Sequence, residues 1–152
     1  MSSSPPLPAH MGAPLRFSLR IYGILIEKGR LLMTRSTFLG REFVNFPGGG
    51  VELGEAPMAA LKREFQEETG LAVKPRRLLY ASEGYHRSTQ VPMQIVSVYW
   101  LVGRGRGKLR AAGNGEDVLS LFWTRLGRIP KREMFPADVE FVRRLPRLLK
   151  LK

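Results

Sequence analysis

Three glutamates, Glu64, Glu67 and Glu68, stand within five residues of one another in the stretch "REFQEETG". The chain around them is basic, with 25 Lys and Arg against 13 Asp and Glu and a formal net charge of +12. On a helix, positions three and four apart share a face, so the three carboxylates crowd together. Gly70 reads as the stop of that helix, which sets the acids at the end where the dipole favours cations. Repulsion within the group costs a few tenths of a kcal/mol per pair, and the dipole adds about 0.3–1 kcal/mol per acid. Arg63 relieves only part of this. A solvated charged face would carry Lys four residues on, and this segment does not. Acids that break a local rule beside an apolar stripe point to a function. A divalent cation is the simplest compensation, and hard oxygen ligands favour Mg²⁺ or Mn²⁺.

The loop before this helix, "PGGGVELGE", places Gly48, Gly49 and Gly50 where a backbone can approach another group closely, followed by Glu52 and Glu55. From Gly49 to Leu71 the chain reads G-x5-E-x7-R-E-F-x-E-E-x-G-L, with Glu55, Arg63, Glu64, Phe65, Glu67, Glu68, Gly70 and Leu71 at the constrained places. This pattern resembles the box of the MutT-like Nudix hydrolase superfamily, and every constrained position matches. The resemblance implies an α/β fold, an α/β/α sandwich around a mixed sheet with the box as a loop–helix–loop. It also implies Mg²⁺-dependent (or Mn²⁺-dependent) hydrolysis of the pyrophosphate bond in a nucleoside diphosphate linked to another group. The implied substrates are nucleotide-type small molecules: an NTP or dNTP, ADP-ribose or a nucleotide sugar. Removal of pyrophosphate from RNA 5′ ends is the alternative reaction. A non-catalytic Nudix-fold nucleotide-binding module is the alternative of another class, although such modules commonly lose box glutamates. By position, Glu64, Glu67 and Glu68 match the family's metal-binding and catalytic glutamates. Arg63 matches the arginine that orients a glutamate, with Glu55 as its partner, and Gly49 the glycine whose carbonyl joins the metal shell. Which glutamate acts as base stays open.

Outside the box, Glu116 is the acid expected to join the metal from a later loop, with Asp117 beside it and Glu83 a weaker candidate. Arg20, Arg35, Arg41 and Arg87 are placed to pair with phosphates bidentately. Phe46, Tyr22 and Phe43 are expected either to stack on a nucleobase or to fill the core. Tyr85 is the tyrosine expected to meet substrate if the ligand is a dinucleoside polyphosphate. His86 falls in a loop and His10 near the N-terminus, which leaves no Ser-His-Asp triad.

These residues need a scaffold. "MSSSPPLPAHMGAP", residues 1–14, has the Ser and Pro content of a disordered leader, and residues 15–152 fit one domain. "FSLRIYGILIE", "RLLMTR", "LLYASEGY", "MQIVSVYWLVG" and "VLSLFWTRL" read as strands. Pro47 and the three glycines after it argue against regular structure, and "RGRGKLRAAGNGED" reads as a flexible connection. "EAPMAALKREFQEETG" is the strongest helix, with Pro57 in its first turn, Gly70 as its stop and Met58, Leu61 and Phe65 as its stripe. "ADVEFVRRLPRLLKL" reads as a closing helix interrupted at Pro146. The chain has no cysteine, so disulfides, thiolate metal sites and a cysteine nucleophile are excluded, in keeping with a cytoplasmic setting. No apolar run is long enough to cross a bilayer, so no membrane role is expected. A pI near 10.9 suits attraction of phosphates, with dedicated nucleic-acid binding not favoured. A homodimer is left open.

Overall fold

The computed structural model describes residues 16–150. The predicted leader, residues 1–14, lies outside the described residues. Eight strands make up one sheet system: β1 (Arg16–Glu27), β2 (Arg30–Phe38), β3 (Arg41–Asn45), β4 (Gly48–Gly50), β5 (Leu71–Ala81), β6 (His86–Arg87), β7 (Met93–Gly107) and β8 (Val118–Arg125). Two helices join them, α1 (Pro57–Thr69) and α2 (Pro136–Lys150). The main path runs β3-β2-β1-β7-β5, with β4 on β1, β6 on β7 and β8 on β2. β1 and β7 pair in parallel from Arg16↔Met93 to Leu25↔Val102. Every other pairing is antiparallel, which makes the sheet mixed.

Alternation along β1 sends its side chains to two separate cores. Ile21 and Leu25 join Leu61 and Phe65 of α1. Tyr22 and Ile24 join Tyr99 of β7 and Phe141 of α2. One helix therefore packs on each face, the sandwich that the sequence pattern implies. Tyr99 and Phe141 stack with ring centroids 3.9 Å apart, and Phe46 meets both edge-on.

Four expectations change. Gly48–Gly50 is a strand, because the segment lies against β1 with Tyr22↔Gly48 and Arg20↔Gly50, where glycines permit a close approach. β5 begins at Leu71, directly after the helix, and Pro75 is accommodated because β5 is an edge strand with register shifts around it. β7 continues through the "RGRG" sequence to Gly107, paired with β5, so that stretch is sheet. α2 runs through Pro146 to Lys150 without interruption. Its apolar series Phe141, Val142, Leu145, Leu148 and Leu149 crosses the proline, and burial of that stripe outweighs one lost helical hydrogen bond.

Helix α1 starts at Pro57 in its first turn and ends at Gly70, which adopts the left-handed conformation (φ 84°) that a side chain disfavours. The Gly70 N–H returns to the Gln66 carbonyl at 2.9 Å. Thr69 strengthens this end, donating its hydroxyl to Phe65 O at 2.7 Å and accepting Leu71 N–H at 3.0 Å. The end of α1 is thus fixed to the start of β5, and its acids are held in place. Among the described residues no helix is long and apolar enough to cross a membrane.

Candidate active site

Leu61 and Phe65 face the core, and the residues one position round the helix, Glu64 and Glu68, face β4. Glu68 is only 7% exposed, and its single hydrogen bond comes from the Gly48 N–H at 3.3 Å. Burial pushes its carboxyl well above the ordinary range, and the neighbouring Glu64 pushes it further. Burial also raises Glu64, with Arg63 pulling the other way. Gly49 lies directly under Glu64: a methyl group there would stand 2.6 Å from the Glu64 carboxyl carbon. Only glycine leaves room for this contact.

Arg63 organises the outer side of the group. It grips Glu55 with two bonds, Nε to Oε2 at 2.7 Å and Nη2 to Oε1 at 2.9 Å. Its Nη1 donates to Glu64 at 3.1 Å and Glu67 at 3.4 Å, and Nη2 reaches Gly50 O at 3.3 Å. The bond from Arg63, helped by the Glu52 N–H, holds the Glu55 carboxyl down to about 2. Arg63 thus ties the β4–α1 loop to the acidic face of the helix.

No three His, Asp or Glu side chains among the described residues stand in metal-binding geometry, and Glu55, Glu64 and Glu67 are all bonded to Arg63. The residues nonetheless fit a hard divalent cation. Glu68 is a buried carboxyl group that forms no ion pair among the described residues, beside a second carboxyl group, and the groups that could ligate a metal there are oxygens.

Glu64 and Glu68 stand where two hollows meet. An open cleft holds Glu52, Arg63, Glu67, Arg110, Glu116 and Asp117. A cavity of about 390 Å³ on the other side is bounded by Gly48–Gly50, Arg20, Tyr22, Phe43 and Asn45, with Phe135 and Asp138 opposite. Asp117 borders both, whereas Glu116 borders only the cleft. Arg20 donates from Nε to the Tyr22 hydroxyl at 2.8 Å, and burial pushes that phenol up to about 12. Asp138, 2% exposed, accepts the Tyr99 hydroxyl at 2.6 Å, and burial raises its carboxyl to about 6. Phe43 and Phe135 pack at 4.7 Å and give the cavity an aromatic wall. His86 also borders the cavity and bonds to Glu140 of α2. Burial opposes the ionised form of Glu140, yet bonds from Tyr80, the Glu83 N–H and His86 hold it down to about 2.

The structure brings Glu55, Arg63, Glu64, Glu67, Glu68 and Gly49 together and sets Arg20 beside them. Three of the expected substrate contacts lie away from both hollows. Phe46 has no exposed surface and fills the α2-side core. The Arg35 guanidinium is paired with Glu133 at 2.8 Å and borders neither hollow. Tyr85 is 54% exposed and borders neither hollow. Of the other arginines, Arg41 lies over the Phe135 ring, and all three guanidinium nitrogens of Arg87 are buried with no hydrogen-bond partner among the described residues. Asp138, Asn45 and Ser97 are buried polar residues of the cavity that the sequence reading missed. Asp138 occupies a helix first turn, where an acid is ordinary, so nothing in the sequence set it apart.

Residues 14–145 match the family pattern of the NUDIX domain. The 8-oxo-dGTP diphosphatase of Haemophilus influenzae is 30% identical over 124 residues, 78% of this chain and 83% of that protein. An RNA pyrophosphohydrolase of Actinobacillus succinogenes is 43% identical over 63 residues, which cover 40% of this chain and 31% of that one. In fold, the chain matches the crystal structure of the MutT protein from Methanosarcina mazei Go1 with a TM-score of 0.73 at 21% identity, over 92% of this chain and 100% of that one. With the acidic helix face, its arginine clamp and the glycine strand beneath it, these matches place the chain in the Nudix family, as a hydrolase of pyrophosphate bonds.

Proposed function

We propose that this chain hydrolyses nucleoside triphosphates, its nucleoside seated in the cavity and its phosphates at the Glu64–Glu68 junction, with Mg²⁺ as the working cation. The observation that carries this reading is Glu68: a buried carboxyl group beside Glu64, bonded to the Gly48 N–H, at the mouth of an aromatic-walled cavity. At about 390 Å³ the cavity lies at the low end of the roughly 300–1,000 Å³ typical of ligand pockets. That volume suits one nucleoside rather than two linked ones.

Glu64, Glu67, Glu68 and the Gly49 carbonyl would hold the cation. When bound, it supplies charge neutralisation on the phosphate oxygens and an acidified water. The remaining work falls to the protein. Arg63 fixes the orientation of Glu64 and Glu67, and its clamp on Glu55 fixes Arg63 in turn. Arg20, anchored by Tyr22, presents its terminal nitrogens beside Gly50 and binds a phosphate oxygen pair. A carboxylate of the acidic set takes the proton of the attacking water. Asp138 and Asn45 on the cavity wall read the polar edge of the base, and Phe43 and Phe135 pack on its face.

A second reading, removal of pyrophosphate from RNA 5′ ends, is favoured by the net charge of +12. The two are separated by kcat/KM on NTPs and dNTPs (8-oxo-dGTP included), ADP-ribose, a nucleotide sugar and 5′-triphosphate RNA. A free triphosphate should rank first. A higher value on RNA would replace the proposal with the second reading, and a higher value on ADP-ribose or the nucleotide sugar would overturn the substrate class.

A further inference from the structure

The acids at the end of α1 sit where the dipole repels them, and a metal explains only the loaded state. Arg110, in the connection between β7 and β8, supplies a compensation built into the chain. Its guanidinium Nη2 donates to the carbonyls of Gln66 at 3.1 Å and Glu67 at 2.6 Å, and its backbone N–H donates to Thr69 O at 2.9 Å. Gln66 O also accepts the Gly70 N–H, but the carbonyls at the end of a helix run short of backbone donors, and a cation on them offsets the negative end of the dipole. Gly70 lets the connection come this close: a methyl group there would stand 2.4 Å from Lys108 O and 3.3 Å from Arg110 Cγ.

The same connection leads to the loop acids. Arg110 O accepts the Gly113 N–H at 3.0 Å. Asn114 then folds the turn, its Oδ1 accepting the N–H groups of Glu116 at 2.9 Å and Val118 at 3.0 Å. Its Nδ2 donates to Asp117 Oδ1 at 2.8 Å. A chain of bonds thus runs from the end of α1 through Arg110 to Asp117, the loop acid that borders both hollows. Asp117 acts on Glu68, adding to its upward shift.

We infer that Arg110 is a positioning residue for the cation site: it fixes the end of α1 and the Asp117 loop to one another, so that acids from both elements face one point. This rests on the metal-site reading of the proposed function. Among the described residues the Arg110 guanidinium donates to helix carbonyls and pairs with no carboxylate. Its own positive charge opposes cation binding, so a purely electrostatic role and a positioning role predict opposite signs. Groups that orient metal ligands typically contribute roughly 10–100-fold in affinity.

Manganese binding tests this directly, with free Mn²⁺ counted by its EPR signal for wild type, R110K and R110A. The positioning role predicts a Kd raised about tenfold or more in R110A. R110K, which can still donate to the helix carbonyls, should fall between the two. Amides of Gln66 to Gly70 should exchange faster in R110A, and kcat at saturating metal should recover far more than activity at limiting metal. Tighter or unchanged Mn²⁺ binding in R110A would overturn the inference while leaving the metal site standing. An R110A protein that fails to fold passes the test to R110K, whose unchanged Kd would overturn it equally. Failure of wild type to bind Mn²⁺ would overturn the site reading and the inference together.

Discussion

Asp138→Asn removes a buried charge while keeping the size of the side chain and its acceptor for Tyr99. The carboxyl is 2% exposed, accepts the Tyr99 hydroxyl and is raised from 3.8 to about 6, chiefly by burial. A raised folded value means that, between 3.8 and about 6, the folded protein binds more protons than the unfolded chain. The ionised group therefore costs stability fully above about pH 6, and the cost vanishes below about pH 4. A shift of about two units at 1.36 kcal/mol each gives about 3 kcal/mol, and water entering through the cavity brings the expected figure to about 1–3 kcal/mol. Asn keeps the acceptor for Tyr99 and turns its amide nitrogen toward the cavity. The variant should be more stable than wild type by that amount at pH 7.5, and the difference should close as pH falls to 4. Urea unfolding of both proteins at half-unit pH steps measures it. A variant less stable than wild type at pH 7.5, or a difference independent of pH, would refute the reasoning. The first result would show that the carboxylate is stabilised where it sits, and the second that burial does not shift its titration.

Glu68→Gln removes a charge that burial and Glu64 both oppose. Metal-free E68Q should melt at or above wild type at pH 7.5, gain less from added Mg²⁺, and lose on the order of 10² in kcat, as calorimetry and initial rates will show. Gly49→Ala places a methyl group 2.6 Å from the Glu64 carboxyl carbon, so Glu64 must move. Activity should fall at least about tenfold while urea unfolding changes by roughly 1 kcal/mol or less, since the end of a side chain yields cheaply. Raising salt should increase KM for a triphosphate and leave kcat nearly constant, because the net charge of +12 acts on encounter rather than on the closed site. Steady-state kinetics from low to moderate salt measures this.

The site was legible because its residues are contiguous. Glu64, Glu67 and Glu68 lie on one helix face, and Arg63, Glu55 and Gly49 fall within 23 residues of chain, Gly49 to Leu71. Apolar spacing at Leu61 and Phe65 fixed which face was core and so where the acids had to point. The cavity was not legible for the opposite reason. Asn45, Ser97 and the Phe135–Asp138 stretch come from three separate segments, and only strand pairing and the packing of α2 bring them together. For Phe46 and Arg35, residue type alone does not say which way a side chain turns. Phe46 points into the α2 core, and Arg35 turns to Glu133. Pro146 and Gly48–Gly50 break local propensity, and tertiary burial and pairing with β1 decide them instead.

Product release measured with and without divalent metal tests the central claim most directly. Wild type should release nucleoside monophosphate and pyrophosphate from at least one triphosphate of the panel in Mg²⁺, fall to background in EDTA, and lose about 10² or more in E68Q. Equal turnover in EDTA, or an E68Q protein as active as wild type, would contradict the assignment of the acidic helix face as the cation-binding centre of the reaction.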